Sequence, residues 1–484
     1  MRSMWRWLST RLGGGLGRGS GTPVSGSRRV SPTLTAGRSR PRVTVAGNEP
    51  RVDTSQCSPW PPGALLVGGA VRDILLGLQP ADLDWQVPDP AAAARAHAAA
   101  VGGSVFALDE ERDHWRVVVP GQTRTTHDFV AALDPTEDLW RRDLTINAMA
   151  AQPDGAVIDP TGGLADLRSG VVRMTSRSAF EADSVRLLRA VRFAGTLGFT
   201  VDAETSATIR ELAAAQLAGS APVPAAERVR DELSAIVGHV AGATALELAA
   251  ELGVLATFLP ELDATRGVVQ GGLHHLDVFG HSLLALRGLA AGHPGAGTEL
   301  RLATLLHDVG KPATAVAVAG LRTTFHGHAK LGAALAGGAM RRLRFGSDSV
   351  AAVSELVRLH MLPLPSNERG ARRFVHRYRH VLPELLWLMI ADREAARGRQ
   401  ATAAGRQAYR QALGRVIAVW EEPPPAAPLL TGDDVMRILD LKPGPRVGEA
   451  LALVAESAAV GDVVTSVDAE RLVVGYAKAQ GWSD

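Results

Sequence analysis

Leu66-Val67-Gly68-Gly69-Ala70-Val71-Arg72-Asp73, followed shortly by Asp82-Leu83-Asp84, governs how the first part of this chain folds. The apolar run from Ala64 to Val67 starts directly after Pro61-Pro62-Gly63 and ends at two glycines; from Val71 to Leu78 the apolar positions recur at helical spacing. The pattern predicts a strand, a glycine turn and a helix. Backbone amides at such a turn can approach a polyphosphate closely, and the helix dipole adds attraction for the anion. Leu83 to Val87 alternates as a second strand, so the pleat carries Asp82 and Asp84 to one face. Paired carboxylates there suit hard cations such as magnesium. Singly, a double glycine is commonly a plain turn and Asp-x-Asp commonly solvated charge; the joint spacing is what singles them out.

Further along, Val105 to Ala107, Trp115 to Val119 and His127 to Ala132 read as strands. Asp128, on the last of them, is a candidate third metal ligand. From Phe180 onward apolar residues recur at helical spacing, first through Leu187, Leu188, Val191 and Ala194, then through Val229, Leu233, Ile236 and Val237. Gly292 to Gly297 and Pro423 to Pro425 are the clearest later boundaries. The expected layout is a disordered extension over 1–60, an α/β domain over 61–175, helical domains over 176–265 and 266–400, and a helical tail over 401–484.

At 484 residues the chain should hold roughly two to four domains. Residues 1–48 are rich in Arg, Gly, Ser and Pro and contain no acid before Glu49. That composition fits a disordered segment, whether a transit peptide or sequence upstream of a later start codon. Hydrophobic residues make up 46% and charged residues 21%, ordinary for a globular chain with a sizeable core. A net charge of +2 neither demands nor excludes a nucleic-acid partner. The single cysteine, Cys57, excludes an intramolecular disulfide and a thiolate zinc site, and points to a reducing, cytoplasmic setting. Glu247 and Glu251 interrupt the longest apolar stretch, so no membrane span is expected.

The glycine turn and paired aspartates are followed by Arg141-Arg142-Asp143-Leu144-Thr145-Ile146-Asn147-Ala148. Together these motifs resemble the class II CCA-adding tRNA nucleotidyltransferase and bacterial poly(A) polymerase family, within the polymerase-β-like nucleotidyltransferase superfamily, over about Leu66 to Gly448. The resemblance implies an α+β fold, with a small mixed-sheet palm followed by an all-α body. It assigns the triphosphate to Gly68, Gly69 and Arg72, metal-borne catalysis to Asp82, Asp84 and Asp128, and triphosphate and ribose contacts to Arg142, Asp143 and Asn147. Phe180-Glu181-Ala182-Asp183-Ser184-Val185-Arg186 resembles the family's side-chain template, in which Asp183 and Arg186 read the incoming base; Arg189 and Arg192 follow in the same segment. A carboxylate accepting from an exocyclic amino group and a guanidinium donating to ring acceptors is sensible chemistry for that role, although Asp and Arg three apart also make a plain helix-surface pair. The implied substrates are tRNA, CTP and ATP, with Mg2+ as cofactor.

Two departures matter. Ala182 stands where the template carries a glutamate. Only Phe129 to Trp140 separate Asp128 from Arg141, where members that complete CCA carry a flexible basic loop of about twenty residues. The second resembles the CC-adding branch, and implies addition of CC with the terminal A left to a partner enzyme. A poly(A) polymerase shares every catalytic motif and stays open as an alternative.

His307-Asp308 on an apolar helical stretch, with His281 before it and His328, His360 and Asp392 after it, forms an ordered set suited to a divalent metal. The order resembles the HD phosphohydrolase superfamily and implies phosphodiesterase or phosphatase activity. An HD hydrolase with an RNA-binding N-terminal part is the alternative from another class. His274, His275, His293 and His326 read as ordinary structural histidines. Two arginine clusters, Arg341, Arg342 and Arg344 and Arg372, Arg373, Arg377 and Arg379, are candidate RNA-phosphate contacts, or solvated faces.

Overall fold

The computed structural model describes residues 51–121, 125–131, 134–272, 274–317, 323–398, 400–423 and 427–482, so residues 1–50 of the extension expected over 1–60 lie outside the described residues. The chain divides into two compact units. The first comprises residues up to Ala264, Ala290–Thr298 and Arg342–Phe345; the second comprises Thr265–Leu289, Glu299–Arg341 and the remainder from Gly346.

In the first unit, strands β1 (Leu65–Val67), β2 (Asp82–Val87), β3 (Ser104–Asp109), β4 (His114–Val119), β5 (Thr125–Ala131), β6 (Ala150–Ala151) and β7 (Val157–Ile158) form one mixed sheet in the order β3-β4-β5-β2-β1-β6-β7. The β2–β5 pair is parallel and the other pairs are antiparallel. Helices α1 (Gly69–Leu75), α2 (Pro90–Val101), α3 (Pro135–Arg141) and α4 (Gly163–Ser169) accompany it, and β8 (Val171–Val172) pairs with β9 (Thr200–Val201) in a separate ribbon. Alternation sorts the faces of the large sheet. Trp85, Val117 and Phe129 are fully buried on one side, where His97 of α2 stacks on His127 and touches Phe129. Each such burial contributes on the order of 2 kcal/mol. The register then dictates the other face: Asp84 stands beside Asp128 across β2–β5, Asp128 beside Arg116 across β5–β4, and Asp82 beside Thr126.

Residues 51–60, expected to belong to the disordered extension, are ordered. Arg51 bridges Ala156, Cys57 is buried, and Trp60 meets Trp85 edge-on at 4.8 Å. Burial of Val52 and Cys57 and the contact of the half-buried Trp60 with Trp85 hold this segment down, a signal that the surrounding polar residues mask.

Helices α5 (Arg177–Ala182), α6 (Val185–Leu197), α7 (Ala203–Leu217), α8 (Ala226–Gly238), α9 (Gly242–Glu251), α10 (Val254–Phe258) and α11 (Pro260–Asp263) complete the first unit. Helices α6 and α9 cross tightly at Gly195, where an added Cβ would come within 2.4 Å of the Ala245 Cα. One side of α6 is buried through Leu187, Leu188, Val191 and Ala194; Arg186, Arg189 and Arg192, spaced by three, line another side.

The described residues of the second unit fold chiefly as helices α12 (Val278–Gly292), α13 (Thr298–Leu306), α14 (Lys311–Thr314), α15 (His328–Arg342), α16 (Ser347–Leu359), α17 (Glu368–Tyr378), α18 (Glu384–Ala395), α19 (Ala403–Glu421), α20 (Gly432–Leu439), α21 (Pro445–Ala459) and α22 (Ser466–Ala479). The last three share a core around Val435, Ala450, Ala469 and Val473, and Thr431 opens α20 with a capping box to Asp434. No described helix is long and apolar enough to cross a membrane.

Candidate active site

The glycine turn between β1 and α1 has a steric reason for its composition. Gly68 has φ +79°, and a Cβ there would lie 2.5 Å from Arg142 Nη1 and 3.5 Å from Asp84 Oδ2. A side chain would therefore be strained and would enter the site. Arg72 is nearly buried. Its guanidinium donates to Asp73 Oδ1 at 2.8 and 2.7 Å and to Asn147 Oδ1, and its Cζ lies 4.5 Å from the centre of the Phe193 ring. Asp143 is buried and accepts from Leu144 N at 2.8 Å, Asn147 Nδ2 at 3.1 Å and Arg189 Nε at 2.7 Å. Burial works against its charge, but Arg189 and these donors hold its carboxyl below the ordinary value.

Arg72, Asp82, Asp84, Arg142, Asp143, Asn147, Arg189 and Arg192 line one polar cavity of about 350 Å³. Burial pushes the Asp84 carboxyl up; Arg142 opposes this, while the Asp128 and Asp82 charges add to it. A like-charged carboxylate group with a raised member gains from a cation, so Asp82 and Asp84 fit a divalent metal. Asp128 is otherwise engaged: Arg116 grips it through Nε and Nη2, both at 2.6 Å, and His114 Nε2 lies 3.6 Å away. In this structure its carboxylate faces a guanidinium on the neighbouring strand.

Asp183 closes α5 in extended backbone, and Arg186 Nε lies 3.7 Å from its carboxylate. Arg228 of α8 donates to both oxygens, at 2.8 and 2.7 Å. Arg186 donates in turn to the Arg141 carbonyl at 2.8 Å. Glu232, one turn beyond Arg228, accepts from Arg189 at 3.2 Å and Arg192 at 2.5 Å.

A second cluster lies in the second unit. His281 of α12, His307 and Asp308 just after α13, His328 at the start of α15, His360 just after α16 and Asp392 of α18 come together. Ligand atoms of His281, His307 and Asp392 lie within 4.8 Å of one another, as do those of Asp308, His328 and His360. Asp308 spans both groups, with Oδ2 3.1 Å from His307 Nε2 and Oδ1 3.4 Å from His328 Nε2. The Nδ1 atoms of His307, His328 and His360 lie 2.8, 2.7 and 2.7 Å from the Thr304, Phe325 and Val357 carbonyls. Donation there fixes the tautomer and leaves each Nε2 lone pair facing the centre, the arrangement a metal ligand requires. Burial brings His360 down to about 4, keeping it neutral and ligand-competent. The neighbouring cavity, about 560 Å³, is lined by Lys311, His274, His326, Phe325, Met361 and Arg393 among others.

Three family descriptions match in chain order: the poly A polymerase head domain over residues 107–173, the "probable RNA and SrmB-binding site of polymerase A" over 198–265, and the HD domain over 278–397. An A-adding tRNA nucleotidyltransferase of Deinococcus radiodurans is 49% identical over 424 residues, covering 87% of this chain and 97% of that protein. The chain belongs to the tRNA nucleotidyltransferase family. A CC-adding tRNA nucleotidyltransferase of Thermus thermophilus is 40% identical, covering 86% of this chain and 94% of that protein. The fold also matches a Bacillus stearothermophilus CCA-adding enzyme in complex with CTP, at TM-score 0.58 and 22% identity over 86% of this chain and 94% of that one. The nucleotidyltransferase is thus an enzyme with an α+β palm, an all-α body and an HD domain.

Around this nucleotidyltransferase site, sequence reasoning missed Arg116, Arg228 and Glu232. Arg116 is visible only once β4 and β5 are in register. Arg228 and Glu232, four apart and opposite in charge, read as an exposed helix pair. His274 and His326, read as ordinary histidines, line the second cavity, with His274 Nδ1 3.3 Å from His281 Nδ1. Of the arginine clusters, Arg342 is paired to Glu261, Arg372 to Glu368 and Glu422, and Arg373 to Glu456. These three are each ion-paired in this structure.

Proposed function

We propose that this nucleotidyltransferase adds cytidylate from CTP to the 3′ end of tRNA, releasing pyrophosphate, and stops after CC, so that a partner enzyme supplies the terminal A. The observation that carries the reading is what lies between β5 and α3. Residues 132–134 join them, a span of at most about 14 Å. The segment that follows is the helix α3, whose N-cap Asp134 accepts from Thr136 N at 2.8 Å and Glu137 N at 3.3 Å. A capped helix occupies the place of the flexible loop that would switch the enzyme from C to A.

In this reading Asp82 and Asp84 hold magnesium, which when bound supplies positive charge to the triphosphate and the attacking hydroxyl. The turn at Gly68 and Gly69 and the guanidiniums of Arg72, Arg142, Arg189 and Arg192 bind the triphosphate, while Asp143 and Asn147 hold the arginines and the ribose. Asp128, held by Arg116 in this structure, would be the third carboxylate available to the magnesium if the pair opened. The tRNA 3′-hydroxyl gives up its proton to solvent as its oxygen attacks the α-phosphorus, and the bond from that phosphorus to the bridging oxygen breaks, releasing pyrophosphate. Asp183 accepts from the amino group of the base and Arg186 donates to its ring acceptors. The domain assignment follows: 61–175 palm, 176–265 nucleotide selection and RNA, 266–400 HD, 401–484 tail with tRNA contact. The HD residues His281, His307, Asp308, His328, His360 and Asp392 hold a divalent metal for phosphoester hydrolysis. Transfer RNA as substrate, with one buried cysteine, suits the cytoplasm.

A second reading is addition of the terminal A. The 49% identical relative named for that reaction favours it, and cytosine and adenine offer Asp183 and Arg186 the same pair of groups. Extension of tRNA transcripts ending before and after CC, with CTP, ATP or both, resolves the two at single-nucleotide length. Two cytidines and no adenosine are expected. Adenosine added only to the CC-ended transcript establishes the second reading, and all three nucleotides on the bare transcript overturn both.

A further inference from the structure

We infer that Arg228 is a positioning residue for base selection, fixing the carboxylate of Asp183. The inference rests on the assignment of Asp183 and Arg186 to the base edge.

Asp183 sits where α5 ends and α6 has not begun, and from α6 its side chain receives one long hydrogen bond, from Val185 N at 3.3 Å, with Arg186 Nε 3.7 Å away. Arg228 supplies the stronger restraint, at 2.8 and 2.7 Å. A guanidinium fork donating to both carboxylate oxygens sets the plane of the carboxylate as well as its position, which a single hydrogen bond does not. Oδ1 also accepts from Val185 N at 3.3 Å, while Oδ2 retains a second lone pair at which an amino group can be accepted. The fixed carboxylate repels the carbonyl oxygen that uracil and guanine present at the same place. Arg228 and Glu232 lie on one face of α8, so a single helix orders both the base-reading carboxylate and the arginines at the triphosphate end. The Arg228 side chain is 54% exposed, so the pair adds little to global stability and acts through orientation.

The test compares wild type, Arg228→Ala, Arg228→Lys and Asp183→Ala on tRNA transcripts ending before and after CC. The readouts are the kcat/KM ratios of CTP to UTP and of ATP to GTP, together with Tm. We expect Arg228→Ala to keep Tm within about 2 °C and to lower the ratio for the accepted nucleotide about tenfold. Arg228→Lys, which keeps the charge but not the fork, should fall between the two. An Arg228→Ala enzyme with the wild-type ratio, alongside an Asp183→Ala enzyme that has lost it, overturns the inference. An Asp183→Ala enzyme that retains the ratio overturns the base-edge assignment itself. Should Arg228→Ala fail to fold, Arg228→Lys decides: an intermediate ratio supports the inference and an unchanged one overturns it.

Discussion

Gly68 shows how narrowly a single position can be constrained. Its positive φ and its distance from Arg142 act together, so Gly68→Ala meets backbone strain and a side-chain collision at once. We expect kcat/KM for nucleotide addition to fall at least about a hundredfold, with Tm lowered only modestly; steady-state extension assays and thermal melts check both. Asp84→Asn removes the more buried of the two carboxylates proposed to hold magnesium. It should abolish addition at any magnesium concentration, and extension recovered at high magnesium would show that Asp84 is dispensable. Most of these residues are legible from sequence because each carries its chemistry within a short motif. Arg116, Arg228 and Glu232 are not, since their roles depend on partners 12 to 45 residues away that only strand register and helix packing bring close.

Among the elements, α3 is the one on which the proposed choice of nucleotide rests. Its seven residues are too few to hold a helix unaided, so the Asp134 cap and the packing of Leu139 sustain it. Asp134→Ala should cost about 1 kcal/mol, read as a lower denaturation midpoint. The apolar patterns of β1, β2, β4 and β5 announce those strands in the sequence. Strands β6 to β9 have two residues each and no room for a period to develop. Helix α2 escapes for a different reason, because its run of alanines gives little contrast between faces.

At the scale of the molecule, the buried histidines give stability a pH dependence. His97 and His127 stack with ring centroids 4.6 Å apart, and burial brings His127 down to about 4. The unfolded chain protonates near the ordinary value of 6.5. Between those values the unfolded state binds more protons, so stability should fall as the pH drops from 6.5 to 4 and be insensitive to this pair above 6.5. Melts across that range check it, and His127→Gln should flatten the slope. The cluster around Asp308 predicts a separate response: a chelator should lower Tm, and a divalent metal at a hundred times its Kd should restore about 2.7 kcal/mol, a gain absent in His307→Ala.

The two compact units also bear on descent. The chain passes between them at residues 264/265, 289/290, 298/299, 341/342 and 345/346, so no single cut parts them. A recombination joint at residue 265 would strip the first unit of Arg342, which donates to the Phe258 carbonyl and pairs with Glu261. Exchange of whole halves between genes is therefore penalised at the level of folding. New specificities in such a chain are expected to arise by duplication and point change, with both halves inherited together.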